Sequence, residues 1–490
     1  MVAVLALGLY FLTCAPGVLW LDSAIFQGRV YQGDYLGRLG LALAHPLYIF
    51  LARCWAALPL GDFAFRVNLF SAVCAALTVG VAFDLLLGLT RSRAAAACGS
   101  ILLAVSHTFW THAVIAEVYS LYGLTTLVEC WLLARFMRTR RRGWLWAAAA
   151  VNGLSVANHL LALLHLPVYG VLLLALLRSK AIRWRDLAGV IAAYVVGAAP
   201  YWGLMVAQWR GGQAVGDVVR SALFGNSEFQ GKVLNTHLDW GRQLLRTAQY
   251  FILNFPTPLA LAAPIGLVAA WRDRSLRWFA GVLAGLFVVN FAFAVRYTVP
   301  DQYVFFYSGY LVIPMAAGLG AGRLLAARPR WTALAIALAV LPAGVYEALP
   351  SLVRRAGVNF GVRRAIPYRD NEAFFLRPRK NGDDGAGRFA REALAAAAPD
   401  GLLIADPTIR NLLVVVRDID QVETGVAIED GTEVRQRGPS VTVTRDSVRP
   451  FAMRGRAFIC DRTPDYHPAW LDDLYSYEPV SVVYRLTPKN

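Results

Sequence analysis

The chain has 490 residues, of which 57% are hydrophobic and only 16% charged, with a mean hydropathy of +0.47. A soluble globular chain carries charge on nearer a quarter of its residues, so most of this one belongs in a bilayer. The net charge of +16 does not point to nucleic acid, because the basic residues fall in short clusters between apolar runs, the pattern that sets orientation in a membrane.

The N-terminal run over 2–20 lacks a basic leading region and a good cleavage site, so it reads as a retained first span. Ten further apolar runs follow, near 67–89, 92–106, 111–134, 144–157, 160–177, 186–207, 246–271, 277–296, 308–326 and 331–349. At the length needed to cross a bilayer these give about eleven spans. Loops at 91–93, 138–142, 178–185, 272–277 and 323–330 are rich in Arg and Lys, while the alternate turns are not. The basic loops are therefore expected in the cytoplasm and the others outside. Six cysteines without a CxxC pair indicate neither a disulfide framework nor a zinc cluster.

The chemistry gathers on the outward side. The stretch Leu21–Tyr48 holds Asp22, Asp34 and His45, and Arg66 ends the same loop, whose middle, near 35–57, suits helices lying on the membrane surface. Outward turns add His107, His112, Asn158 and His159, with His165 just inside the next span. The Gly-rich 208–245 loop carries His237 and Asp239, Arg296 ends a span, and the 297–307 turn carries Asp301. Six of seven histidines thus fall near one face, which favours a functional outward cavity over a scatter of core histidines.

Glu117 reads as lying about two turns into a span, a costly place for a carboxylate that does not face a cavity or a partner. Glu129, nearer the inner end, reads as structural and paired with a cytoplasmic-side arginine. His107, His112 and Glu117 step by five residues, rotating about 140° each time on a helix, so they do not share a face as a metal site requires. Asn158 is equally suited to cap a helix or to bind a sugar hydroxyl.

From residue 351 the apolar runs shorten to strand length, at Leu402–Ile404, Leu412–Val416, Val441–Val443 and Val480–Val483, with a helical stretch near 387–397. The fold expected is an α-helical polytopic membrane domain over 1–350 and an outward-facing soluble α/β domain over 351–490. The 377–387 segment, RPRKNGDDGAG, reads as an exposed linker, and the tail as an accessory to the chemistry.

Four stretches carry a family resemblance. They are the Asp22-Ser23 turn ending in His45-Pro46-Leu47-Tyr48, the Gly61–Ala72 stretch with Arg66 and Asn68, the Phe109–Tyr119 stretch with His112, Glu117 and Tyr119, and Gly153–His159. In this order they resemble the domain-of-unknown-function 2723 family, which includes animal protein O-mannosyltransferases and lies in the GT-C superfamily. Two departures stand out: Ala24-Ile25 follows Asp22-Ser23 where the family has Gly-Glu, and the insert after His45-Pro46 is shortened.

The resemblance implies a GT-C-like fold and a glycosyltransferase of bacterial-type inner or plasma membranes. It would move a sugar from a polyprenyl-phosphate donor to a hydroxyl of a protein or envelope glycan. Asp22 takes the position of the general base. His45, Arg66, His112, Glu117, Tyr119, Asn158, His159, Arg296 and Asp301 become substrate-binding candidates, with Arg66 and Arg296 for the lipid phosphate. The partners expected are donor, acceptor and membrane lipids, not nucleic acid; no cofactor is expected, and a divalent metal is not obligatory. The rival readings are a transporter or flippase, and a membrane scaffold.

Overall fold

The structure is a computed structural model that describes residues 1–225, 233, 235, 237–358, 364–422, 425–430 and 443–489. Its first part is helical: α1 (Val2–Thr13), α2 (Asp22–Gln32), α3 (Pro46–Ala56), α4 (Phe63–Thr90), α5 (Arg93–Ala104), α6 (His107–Ala113) and α7 (Tyr119–Thr139). Further helices run through Thr332–Arg355, so helix makes up the greater part of every apolar run expected to cross. Among the described residues five helices are long and apolar enough to cross a bilayer, or eight when three bent pairs are counted as single spans. By length and composition alone the count is therefore five to eight, below the eleven expected.

The bends have local causes. Trp240–Asn254 and Pro258–Arg272 meet at 115° where Pro256 and Pro258 remove backbone donors. α5 and α6 meet at 68° across Val105-Ser106, and the chain leaves helix again over 114–118 before α7. Glu117 thus sits in a break between helices, not inside a span. The 208–245 stretch likewise includes a helix, Val215–Phe224.

Small residues let the helices approach. A Cβ on Gly266 would meet the Ala316 carbonyl oxygen at 2.0 Å, and one on Gly320 the Ala262 oxygen at 2.0 Å, so Ala262–Arg272 and Tyr307–Ala327 pack backbone to backbone. Glu129 pairs not with an arginine but with His165 Nδ1 (2.9 Å), Tyr169 Oη (2.7 Å) and Asn152 Nδ2 (3.3 Å), all within the helical core.

The tail forms one five-stranded sheet, β1 (Leu402–Ala405), β2 (Ala427–Asp430), β3 (Ala457–Ile459), β4 (Tyr475–Val480) and β5 (Val483–Pro488), in the order β2-β1-β3-β5-β4. β1 is parallel to β2 and β3; β5 is antiparallel to β3 and β4. The helix expected near 387–397 is present as Gly385–Ala397. Leu412–Val416, expected as a strand, lies instead in the helix Pro407–Ile419. Asp406 caps its first turn, Pro407 starts it, and Ile409, Leu412, Leu413 and Val416 make one buried stripe. The Val480–Val483 run straddles the β4–β5 turn, and Val441 and Thr442 lie outside the described residues.

The two parts share a core. Val18, Trp20, Ala24 and Ala64 are buried in one cluster with Phe389, Leu403, Leu412 and Val415, and the Trp20 and Phe389 rings lie 5.7 Å apart. The turn leading to Asp22 is therefore clamped by the tail.

Candidate active site

Asp22 opens α2, immediately after Leu21, whose φ of 61° turns the chain sharply. That left-handed backbone is unfavourable for a leucine and persists only where its surroundings hold it. They do so through two buried amides. Gln27 Nε2 donates to Asn68 Oδ1 (2.9 Å) and the Gly17 carbonyl (3.2 Å). Asn68 Nδ2 donates to the carbonyls of Ala15 (3.1 Å) and Gly17 (2.9 Å). On the far side, a Cβ on Gly28 would meet Val415 Cγ2 at 2.5 Å, so α2 rests closely on the helix Pro407–Ile419.

The Glu117 break is held in the same manner. Its N–H donates to Ser71 Oγ (3.2 Å), and Val118 N–H donates to its carboxylate (3.2 Å). Asn158 Nδ2 donates to the Val118 carbonyl (3.1 Å), and the Asn158 carbonyl accepts from His45 Nδ1 (2.6 Å), which fixes the proton on that nitrogen. His112 stacks on Tyr119 at 5.0 Å, Tyr119 faces His159 at 5.1 Å, and His159 faces His45 at 5.2 Å. All four stretches that carried the family resemblance thus meet at one place.

They surround a cavity of about 90 Å³ that opens to solvent. Asp22, His107, Thr111, His112, Glu117, Tyr119 and Asp301 line it, with Trp20, Ile115 and Tyr303. Asp22 reaches solvent through the cavity while protein closes in around the rest of it. That loss of water, and next the charge of Asp301, lift its pKa to about 7. Burial, then Asp22 and Asp301, also push Glu117 well above the usual carboxylate range. Asp22 therefore changes charge near neutral pH, the range in which a general base works best.

Sequence reasoning missed the tail's share of this cavity. Phe374, Phe375 and Lys380 line it too, so the segment expected as an exposed linker is partly built into the site. Lys380 is 3% exposed, donates from Nζ to the carbonyls of Phe374 and Arg377 (2.6 Å each), and lies 4.9 Å over the Phe374 ring. Burial lowers its pKa to about 7.

Other candidates stand elsewhere. His45, Asn158 and His159 form the layer behind Tyr119 rather than the lining. Arg66 donates to the Leu58 carbonyl (2.8 Å) and Arg296, on the surface, to that of Asn235 (3.4 Å); neither lines the cavity. Asp34 Oδ1 accepts from the N–H groups of Leu36 (3.1 Å) and Gly37 (2.9 Å), a turn role. Among the described residues no three His, Cys, Asp or Glu are grouped to hold a metal ion.

Residues 41–182 match the family model of the protein O-mannosyl-transferase TMEM260 N-terminal domain. The chain is 27% identical over 318 residues to the mouse (Mus musculus) protein O-mannosyl-transferase TMEM260, a match covering 58% of this chain and 45% of that protein. The fold is that of ArnT from Cupriavidus metallidurans. The structure of ArnT bound to undecaprenyl phosphate aligns with a TM-score of 0.61 at 15% identity, over 99% of this chain and 96% of that one. Its apo state gives 0.59 at 15% identity, with the same coverage of both chains. The sequence is similar to the N-terminal domain of an O-mannosyl-transferase over 41–182, and the fold is similar to that of ArnT, in line with the resemblance.

Proposed function

We propose that this chain is an inverting membrane glycosyltransferase that moves a sugar from a polyprenyl-phosphate donor to a hydroxyl on a protein or envelope glycan. The observation that carries the reading is the convergence of Asp22, Glu117 and Asp301 on one cavity, with Asp22 on a turn held by Gln27 and Asn68. The likeness to TMEM260 over 41–182 and the ArnT-like fold support the reaction class. The donor type draws support from the undecaprenyl phosphate bound by ArnT.

In this reading Asp22 takes the acceptor hydroxyl's proton as that oxygen bonds to the anomeric carbon. The bond from that carbon to the phosphate oxygen breaks with its electron pair on the phosphate, and the sugar inverts. General-base assistance contributes roughly 10²–10⁴-fold; positioning and stabilisation of the leaving phosphate supply the rest. A phosphate ester is a good leaving group, so neither a cofactor nor a divalent metal enters the proposal. Glu117 and Asp301 raise the basicity of Asp22 and take up sugar hydroxyls.

The membrane arrangement follows from the same reading. About eleven spans cross a bacterial-type inner or plasma membrane within a domain of 1–350, the 114–118 break lying at the outer end of the span that α7 forms. The 351–490 domain lies outside, over the cavity that meets donor lipid and acceptor.

The test is turnover of a polyprenyl-phosphate sugar by the purified full-length protein in nanodiscs. Release of polyprenyl phosphate together with a glycosylated acceptor supports the reading. Movement of the intact lipid-linked sugar between leaflets, without bond cleavage, would instead identify a flippase.

A further inference from the structure

Beside the acids, the cavity lining holds a buried lysine and several buried polar side chains. Lys380 carries three N–H groups, two of which go to the carbonyls of Phe374 and Arg377. The third has no acceptor among the described residues. Both ring nitrogens of His107, Nδ1 of His112 and the Thr111 hydroxyl are likewise buried without a hydrogen-bond partner among the described residues. The backbone of Phe375 and Leu376 lies near His107 but outside hydrogen-bonding geometry. All four side chains line the same cavity. Buried donors left unmade are costly, and those of Lys380, the Thr111 hydroxyl and the one N–H of a neutral His107 call for an occupant rich in acceptors.

We propose that Lys380, His107, Thr111 and His112 form an anion pole that holds a phosphate group. A carboxylate has two oxygens on one edge, whereas a phosphate presents acceptors in several directions, as donors from two separate segments require. The assignment rests on the glycosyltransferase reading for its purpose. A phosphate held here and an acceptor hydroxyl beside Asp22 would bring leaving group and nucleophile into one cavity.

Lys380 reaches this position on a strap from the tail. At one end the Arg364 guanidinium is buried between Asp406 and Asp461, at the carboxyl ends of the adjacent parallel strands β1 and β3. Close to its other end, Arg377 and Arg379 bridge to Glu347 on the last long apolar helix (3.2 and 2.7 Å). At the other end the Lys380 N–H donates to the Thr13 carbonyl (2.8 Å). The strap fixes the cation over the cavity from both parts of the chain.

The experiment is equilibrium binding of undecaprenyl phosphate to the full-length protein in nanodiscs, with thermal unfolding of each variant alongside. Lys380→Met should weaken binding about tenfold or more and Lys380→Arg should restore most of it, as expected for a charged hydrogen bond. Thr111→Val, which keeps shape and removes only the hydroxyl, should weaken it about threefold or more. Displacement by inorganic phosphate supports a pole that takes the phosphate group alone. Lys380-dependent binding without such displacement supports one that takes it only on its lipid. Unchanged affinity in folded Lys380→Met and Thr111→Val overturns the pole and leaves the glycosyltransferase reading standing. A wild-type protein that binds inorganic phosphate through Lys380, yet no polyprenyl phosphate, overturns that reading and keeps the pole.

Discussion

The backbone N–H of Lys380 donates to the carbonyl oxygen of Thr13 at 2.8 Å, so the tail is joined to the end of the first apolar helix beside the cavity. Trp110 Nε1 donates to the Thr13 hydroxyl at 3.0 Å, which brings α6 to the same point. An accessory tail would touch the helical part at its rim; this one contributes Phe374, Phe375 and Lys380 to the lining and packs on Trp20.

Removing residues 356–490 should therefore abolish donor binding and transfer, even where the helical part still inserts. Single-turnover transfer by an inserted truncate measures this. Retained chemistry would return the tail to the accessory role that the sequence suggested.

Transfer should depend on pH with both limbs near neutrality. Asp22 acts as a base only when ionised, and burial with Asp301 lifts its pKa to about 7, so the rate should rise with pH through about 7. Lys380 is lowered to about 7 by burial, against the pull of Asp383 and with the push of Arg377 and Arg379. Its grip on a phosphate should fall as pH rises past the same region. Asp301→Asn removes a neighbouring negative charge, so the acid limb should move to lower pH; Lys380→Arg should remove the alkaline limb. Profiles of kcat/KM for the three proteins check both signs.

Asn68 serves through position alone. Asn68→Ala leaves the carbonyls of Ala15 and Gly17 and the Gln27 amide without their partner. A loss of about 1–3 kcal/mol of stability follows from such orphaned groups. The looser Asp22 turn should lower kcat and leave the acid-limb pKa near its wild-type value. Thermal unfolding and initial rates measured on one preparation separate the two effects.

Glu129 is the contrasting acid. It lies deep among His165, Tyr169 and Asn152 and does not line the cavity. Glu129→Ala should destabilise the protein by about 1–3 kcal/mol for each partner left unsatisfied, while the surviving folded fraction keeps the wild-type pH profile. A displaced profile would make Glu129 part of the chemistry.

The helical runs were legible because hydropathy declares them directly. The Glu117 break was not: Val114 to Val118 is apolar apart from Glu117 itself, and the chain leaves helix there because Ser71 and Asn158, distant in sequence, take its backbone bonds. Leu412–Val416 looked like a strand from its β-branched run, yet Asp406-Pro407 and the buried spacing of 409, 412, 413 and 416 were a helix signal already present. Lys380 was hidden by its own neighbours, since RPRKNGDDGAG has the composition of a solvated loop and only two carbonyls and the Phe374 ring make its burial possible. Arg66 drew attention through its motif, whereas Asn68 and Ser71 in the same stretch make the contacts that shape the site.

The most direct measurement is sugar transfer by Asp22→Asn beside Asp34→Asn, with donor-lipid binding measured on the same samples. Asp22→Asn keeps the side chain's shape and loses its ability to take a proton, so transfer should fall by roughly 10²-fold or more with donor binding nearly intact. Asp34→Asn preserves its turn bonds to Leu36 and Gly37 and should retain at least about a tenth of the rate, a barrier change of about 1.4 kcal/mol or less. Near-wild-type transfer by Asp22→Asn would contradict the assignment of the base.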